Sequence, residues 1–412
     1  MRTETYMLRS IQIYQIIRFS STLLIFWTFS RVFSTTQVGV IEKNLLIANV
    51  STFFWLQAIQ THFLKKQTYT YNEYASFILL VSACVSTPLL IYSSWHKVYL
   101  FSGLYVLFYP FGTLIEMYLI AQKQNKSLIY YSSIFYGMWL ILMIVATLLY
   151  RSLCVTYGVW IAILFFRSLF CIIYIPLRLR SINLDFLSNL SWLMLTFAIG
   201  GGAEYIDGFL IDFLFDKGTL AQFRYGAREL PVFVVLANGV SLWATQQVAH
   251  STNTTLEQVL LTIKQKSTKY LLLNTLLSVM LICISRPLYM YVYGKDYLPS
   301  SVVFDITLVI VVSRFTFPNS ILLGLNLDKV QFIITCIELI LNFILSVILV
   351  QFWGMYGVAI ATVVAYLIEK VLLAAYMHQR TGVAFYKYIS LSTVLLSYVV
   401  VVGTLIVKYT LF

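Results

Sequence analysis

Apolar runs of about twenty residues, separated by short polar stretches, recur along the whole 412-residue chain. A bilayer core about 30 Å thick is crossed by roughly 20 helical residues. Read at that length, the pattern predicts thirteen membrane-spanning helices. They fall at 11–33, 44–64, 74–95, 98–120, 129–150, 154–176, 190–212, 226–248, 268–291, 300–323, 330–352, 356–377 and 388–410. The runs do not alternate between two faces as the strands of a membrane barrel do. Arg2 and Arg9 precede the first run in the manner of a signal peptide, but no small-x-small cleavage site follows, so it reads as a retained signal-anchor helix. The expected fold class is all-α: a polytopic membrane protein of about 12–13 transmembrane helices. Two lobes of six helices are expected at 1–177 and 190–377, joined by a cytoplasmic linker at 178–189, with an additional C-terminal helix in 378–412.

Composition supports lipid as the solvent. Hydrophobic residues make up 60% of the chain and charged residues only 11%, against about 25% charged in an average soluble domain. No soluble fold of this size hides that much apolar surface. The net charge of +12 does not point to nucleic acid, which needs cations clustered on a water-facing surface. The cations mark topology instead. One set of loops holds Arg2, Arg9, Lys65, Lys66, Lys123, Lys126, Arg178, Arg180, Lys264, Lys266, Lys269, Lys329, Arg380 and Lys387. The other holds Lys43, Lys97, Arg151, Lys217, Arg224, Lys295 and Lys408. The richer set is expected in the cytoplasm, which puts the N-terminus inside. The longest expected loop, 249–267, is too short for a soluble catalytic domain. No Gly-rich loop leads to Lys and Ser/Thr, so an ATP-driven pump in one chain is not expected. The five cysteines form no CxxC pair and the four histidines lie far apart, so neither a metal nor a cofactor is expected.

Ionisable residues inside predicted spans are costly and mark candidate sites. They include Arg18, Glu116, Arg167, Glu204, Asp207, Arg228, Glu229, Arg314, Glu338, Glu369 and Lys370. Each has a bland alternative: snorkelling to an interface, or a structural pair between helices. Arg18 and Arg31 are 13 residues apart, so they lie on different faces of the first helix. Glu204 and Asp207, three apart, share a face. An ion pair of Asp207 with Arg228 is geometrically open. The cluster reads equally as a structural clasp or as a substrate or ion site. Gly200–Gly202 interrupts the seventh span, either for close packing or for a bend. The tyrosine-rich stretch 289–297 reads as an interfacial belt, or alternatively as a platform for sugar rings.

Three segments together carry a resemblance. The opening hairpin RFSSTLLIFWTFSRVFSTTQVGVIEKNLLIANVSTFF has an early Arg and a second Arg at the helix end. YIDGFLIDFLFDKGTLAQFRYGARELP places Asp207 before a Tyr-Gly-Ala opening at Tyr225–Ala227. YGKDYLPSSVVFDITLVIV precedes ELILNFILSVILVQFWGMYGVAIATVVAYLIEK, with a Tyr-Gly-x-x-Tyr loop and a Gly-x-x-Gly-x-x-x-Ala helix. In this order, over about 11–377, they resemble the polysaccharide flippases of the multidrug/oligosaccharidyl-lipid/polysaccharide exporter superfamily. The chain departs from that family in lacking the glycine-rich phrase before the first turn, where it keeps only Gly39, and in its thirteenth span.

The resemblance implies two lobes around a central cavity. It implies a flippase that moves an undecaprenyl-pyrophosphate-linked oligosaccharide to the outer leaflet for O-antigen, capsule or exopolysaccharide synthesis. Arg18, Arg31, Arg167, Arg228 and Arg314 are then the candidates to line the substrate cavity, since arginine suits an anionic pyrophosphate. Glu204 and Asp207 are the candidates for ion coupling or for the clasp. The partners implied are the lipid-linked oligosaccharide, membrane lipid, and the pathway's polymerase and glycosyltransferases. Two other readings stand beside this one: a cation-coupled multidrug antiporter of the same superfamily, in which acids should dominate the cavity, and a membrane glycan polymerase, which would need a larger outer loop.

Overall fold

The computed structural model describes residues 2–65, 71–93, 99–175, 184–228, 230–249, 251, 256–325 and 327–411, and within them the regular elements are helices. They are α1 (Arg2–Val32), α2 (Thr35–Lys65), α3 (Tyr71–Ser93), α4 (Tyr99–Ala121), α5 (Asn125–Tyr150) and α6 (Leu153–Tyr174). Then come α7 (Leu184–Gly200), α8 (Gly202–Leu214), α9 (Lys217–Gly226), α10 (Pro231–Ala249), α11 (Leu256–Val292), α12 (Leu298–Arg314) and α13 (Pro318–Gly324). The chain ends with α14 (Asp328–Trp353), α15 (Met355–Thr381), α16 (Phe385–Tyr388) and α17 (Leu391–Leu411).

Among the described residues, nine helical segments are long and apolar enough to cross a membrane, or ten when the pair 185–200 and 205–214 counts as one span. This is the expected all-helical, multi-pass membrane architecture. The remaining expected spans correspond to α1, α2 and α10, which have the length but carry polar positions: Arg18 in α1, Glu42 to Asn44 in α2, and Asn238, Gln246 and Gln247 in α10. Large apolar side chains stay exposed in number, among them Ile141, Leu149, Phe166, Leu276, Phe343 and Val399. In water such a surface would aggregate; in lipid it is already solvated.

Several predicted spans differ in detail, each for a local reason. The seventh is interrupted at Gly201, where a Cβ would collide with the Phe53 ring of α2; the glycine allows that approach. The eighth starts at Pro231 rather than 226, with proline at the first helical position. The tenth breaks between α12 and α13, where Phe317 takes a left-handed backbone (φ 50°) ahead of Pro318. The stretch expected as the longest loop is largely helical. α11 runs for 37 residues, roughly 55 Å at 1.5 Å per residue, so its first turns, with Lys264, Lys266 and Lys269, extend beyond a bilayer core.

Two compact units divide the chain: Met1–Tyr205 with Asp216–Ala221, and Ile206–Phe215 with Gln222–Phe412. The expected linker 178–189 lies partly outside the described residues; its described part, 184–189, opens α7, which packs on α2 within the first unit. In that unit α1 packs on α5, α3 on α4, and α4 on α6. In the second, α14 and α15 form a close hairpin, in which Gly357 leaves room for the backbone of Leu349. There α11 packs on α12 and on the terminal helix α17.

Candidate functional site

In the first unit, Glu116 on α4 is the acceptor at the centre of a buried polar network. Gly112, one turn earlier on the same face, has no side chain, and Arg167 of α6 fills that space. Arg167 pairs with Glu116 and donates to the Gly112 carbonyl at 2.9 Å. Its Nε donates to the Tyr131 hydroxyl at 2.8 Å, and the Phe135 ring centroid lies 4.4 Å from its Cζ. Tyr14 of α1 and Tyr136 of α5 donate to the same carboxylate at 2.6 and 2.7 Å. Arg18, one turn beyond Tyr14, donates to the Tyr14 hydroxyl at 3.1 Å and to the Tyr109 hydroxyl at 2.8 Å. Among the described residues no carboxylate reaches Arg18 directly. Two guanidinium groups and one carboxylate leave this network with a net charge of +1 (2 − 1) inside an apolar helix bundle, where cations are costly unless engaged.

The second unit holds a different cluster, around Asp207 of α8. Its carboxylate accepts hydrogen bonds from Thr362 Oγ1 of α15 at 2.6 Å, and from Asn342 Nδ2 and Ser346 Oγ of α14 at 3.2 and 3.4 Å. Asn342 and Ser346 are four apart and so share a helix face. Thr362 Oγ1 also lies 3.0 Å from the Val358 carbonyl, and Ser346 Oγ lies 3.4 Å from Asn342 Oδ1. Asp207, Asn342 and Ser346 are all buried. One carboxylate, one amide oxygen, two hydroxyls and a carbonyl are thus gathered at one point. Hard oxygen donors of this kind, with a single negative charge, suit a monovalent cation or a proton rather than a soft metal.

A third cluster joins the terminal helix to the second unit. Lys408 of α17 donates to Asp305 Oδ2 of α12 and to Ser285 Oγ of α11, both at 2.6 Å, and to the Ile282 carbonyl at 2.7 Å. Tyr409 donates to the same carboxylate oxygen at 2.7 Å. Lys408, grouped with the loop cations in the sequence, is a partner in a buried pair.

The predicted site residues therefore have distinct settings. Arg18 and Arg167 belong to one network, linked through Tyr14 and Glu116, and the charge of Arg167 is engaged by its carboxylate. Arg31 lies exposed in the last turn of α1. Arg228, half-buried after α9, stands 5.1 Å from the Tyr225 ring centroid. Arg314 is half-buried at the end of α12. Glu204 lies in α8, its side chain outside the described residues, and Glu229 lies outside them altogether. Asp207 takes its hydrogen bonds from α14 and α15 rather than from Arg228. The sequence reading did not single out Asn342, Ser346 and Thr362 as Asp207's partners, although the four-residue spacing of Asn342 and Ser346 within an apolar helix was a visible signal. Of the tyrosine-rich stretch, Tyr289 and Tyr297 are buried, Tyr289 donating to the Tyr225 carbonyl at 3.0 Å, while Tyr291 is exposed.

No protein-family profile and no curated protein sequence matches this chain. Solved structures do. A lipid II flippase MurJ in an inward closed conformation is similar over 97% of this chain and 93% of its own, at 17% identity and a TM-score of 0.67. A multidrug resistance MATE family transporter of the MOP superfamily, in an outward-facing conformation, is similar over 92% and 96%, at 12% identity and 0.58. A MOP superfamily transporter from Pyrococcus furiosus, described as having a binding pocket of reversed polarity, gives the same coverage and identity and 0.59. At such identities the likeness is one of fold.

Proposed function

We propose that this protein is a flippase for an anionic lipid-linked oligosaccharide, moving it across the inner membrane for cell-surface polysaccharide synthesis. The observation that carries the reading is Arg18. It sits half-buried in the first helix, one turn from Tyr14, held by two neutral phenols. A pyrophosphate offers several acceptor oxygens to such a fork, and a charge-assisted hydrogen bond gains strength where water is scarce. The fold shared with a lipid II flippase supports a lipid-linked cargo. An undecaprenyl-pyrophosphate-linked repeat unit fits the chemistry, because its lipid tail stays in the bilayer and only its charged head needs a polar path.

The Asp207 cluster supplies the coupling site in this reading. Thr362, Asn342 and Ser346 satisfy the carboxylate by donation. A monovalent cation would take the place of those hydrogen bonds, with both hydroxyls and the Asn342 amide oxygen turning lone pairs toward it. The same cluster favours a second reading, cation-coupled drug export, in which an acidic site carries the cargo's exchange partner. A deletion strain separates the two. Accumulation of lipid-linked repeat units on the cytoplasmic side supports the flippase; drug sensitivity with normal surface glycan overturns it.

A further inference from the structure

Glu338 of α14 belongs to none of the three clusters. It is 5% exposed, its Oε1 is buried without a hydrogen-bond partner, and no ion pair reaches its carboxyl among the described residues. It stands one turn before Asn342 and two before Ser346, on the stripe of α14 that faces Asp207. Beyond it, on α15, Lys370 donates to Glu369 at 2.6 Å and to Asn319 Oδ1 of α13 at 3.4 Å, and Asn319 Nδ2 donates to Glu369 at 3.4 Å. Asp207, Glu369 and Lys370 all lie within electrostatic reach of Glu338. Tyr366, on the same helix as Lys370, lies 5.6 Å from it (ring centroid to Nζ).

We propose that Glu338 is a proton-carrying carboxyl beside the Asp207 cluster and not a ligand of the cation: it carries a proton while no cation is bound at Asp207, and releases it when a monovalent cation binds there. A buried carboxylate without a donor is costly, and its neutral acid is the cheaper form. Two buried acids that feel each other do not readily ionise together. With Asp207 charged, Glu338 stays neutral. When a cation neutralises Asp207, the like-charge penalty falls, the O–H bond of Glu338 breaks and its electron pair remains on the carboxylate. Lys370 then stabilises the new charge, and the proton leaves toward Glu369 and water. The result is a cation–proton exchange within α8, α14 and α15. It rests on the reading of Asp207 as the cation site.

The test uses the full-length protein, purified in detergent in weak buffer at neutral pH. Na+, K+ or Li+ is added as chloride against choline chloride, with ²²Na+ binding and a pH dye read in parallel. Binding should release about one proton per chain in the wild type. E338Q should still bind Na+ and release no proton, while D207N should lose both. Release unchanged in E338Q would overturn this proposal and leave the Asp207 reading intact. Absence of cation binding in the wild type would overturn both. Where E338Q is too unstable to bind, E338D decides by infrared difference spectroscopy: the protonated carboxyl band that disappears on Na+ addition in the wild type must move in frequency in E338D, and an unmoved band, or none, refutes the idea.

Discussion

Replacing Glu116 by Gln tests whether the first unit is organised around one buried carboxylate. The change is nearly isosteric but removes the charge. Arg167 then has no counter-ion at a buried position, and Tyr14 and Tyr136 donate to a neutral amide that also brings two donors into a crowded site. Breaking a buried pair from one side costs about 3–5 kcal/mol, and each hydrogen bond to a charged group is worth about 1.5–3 kcal/mol. A loss of about 3–5 kcal/mol is therefore expected, since these terms describe the same lost charge and are not summed. It would be read as a lowered midpoint of unfolding, by tryptophan fluorescence in detergent. The decisive arm is the pair E116Q and R167Q. Because the cost lies in an orphaned charge, the double variant should recover part of the loss, with a coupling of at least about 1 kcal/mol. Strict additivity, within about 0.5 kcal/mol, would show that the two residues act independently and would refute the pairing of Glu116 with Arg167.

Gly112→Ala should act on the same pair, because the new Cβ overlaps the Arg167 side chain; a cost of about 1–3 kcal/mol is expected in the same unfolding assay. Thr362→Val removes the shortest donor to Asp207 and should weaken Na+ binding about tenfold or more, read with ²²Na+. Lys408→Met leaves the fully buried Asp305 charge without its cation and should lower stability by about 3–5 kcal/mol, with α17 becoming open to proteolysis. Asp216 caps α9, the Thr219 backbone N–H donating to its Oδ1 at 2.6 Å, and that bond holds its carboxyl below the ordinary carboxylate range. The cap is thus complete at neutral pH and is lost as the pH falls through the lowered folded value. Asp216→Ala should cost about 1 kcal/mol at pH 7 and flatten that acid limb.

The fold was legible because the membrane imposes one rule: runs of about twenty apolar residues become helices. It blurred where polar residues served the interior. Asn44 donates to Tyr157 at 3.0 Å, so hydropathy alone underrates α2; in α10 the diluting Gln246 and Gln247 lie exposed. Gly201 and Pro318 interrupt spans in ways that composition hints at but does not place. For the site, single charges such as Arg18 and Asp207 stood out against lipid. Their partners did not, because Tyr14, Tyr109, Thr362 and Ser346 are ordinary residues in membrane helices and gain meaning only from cross-helix distances. The pairing of Lys408 with Asp305, 103 residues apart in sequence, was hidden for the same reason.

The central claim, that Arg18 serves an anionic lipid-linked cargo, is tested most directly in proteoliposomes. A fluorescent undecaprenyl-pyrophosphate oligosaccharide is placed in the inner leaflet, and its appearance outside is followed by a membrane-impermeant quencher. The wild type should flip it, and Arg18→Glu, shown to be folded by its unfolding midpoint, should reduce the rate at least about a hundredfold, since it replaces the charge-assisted donor by a repelling carboxylate. Arg18→Lys, which keeps the charge but not the fork, should fall between. Undiminished flipping by a folded Arg18→Glu variant would contradict the account.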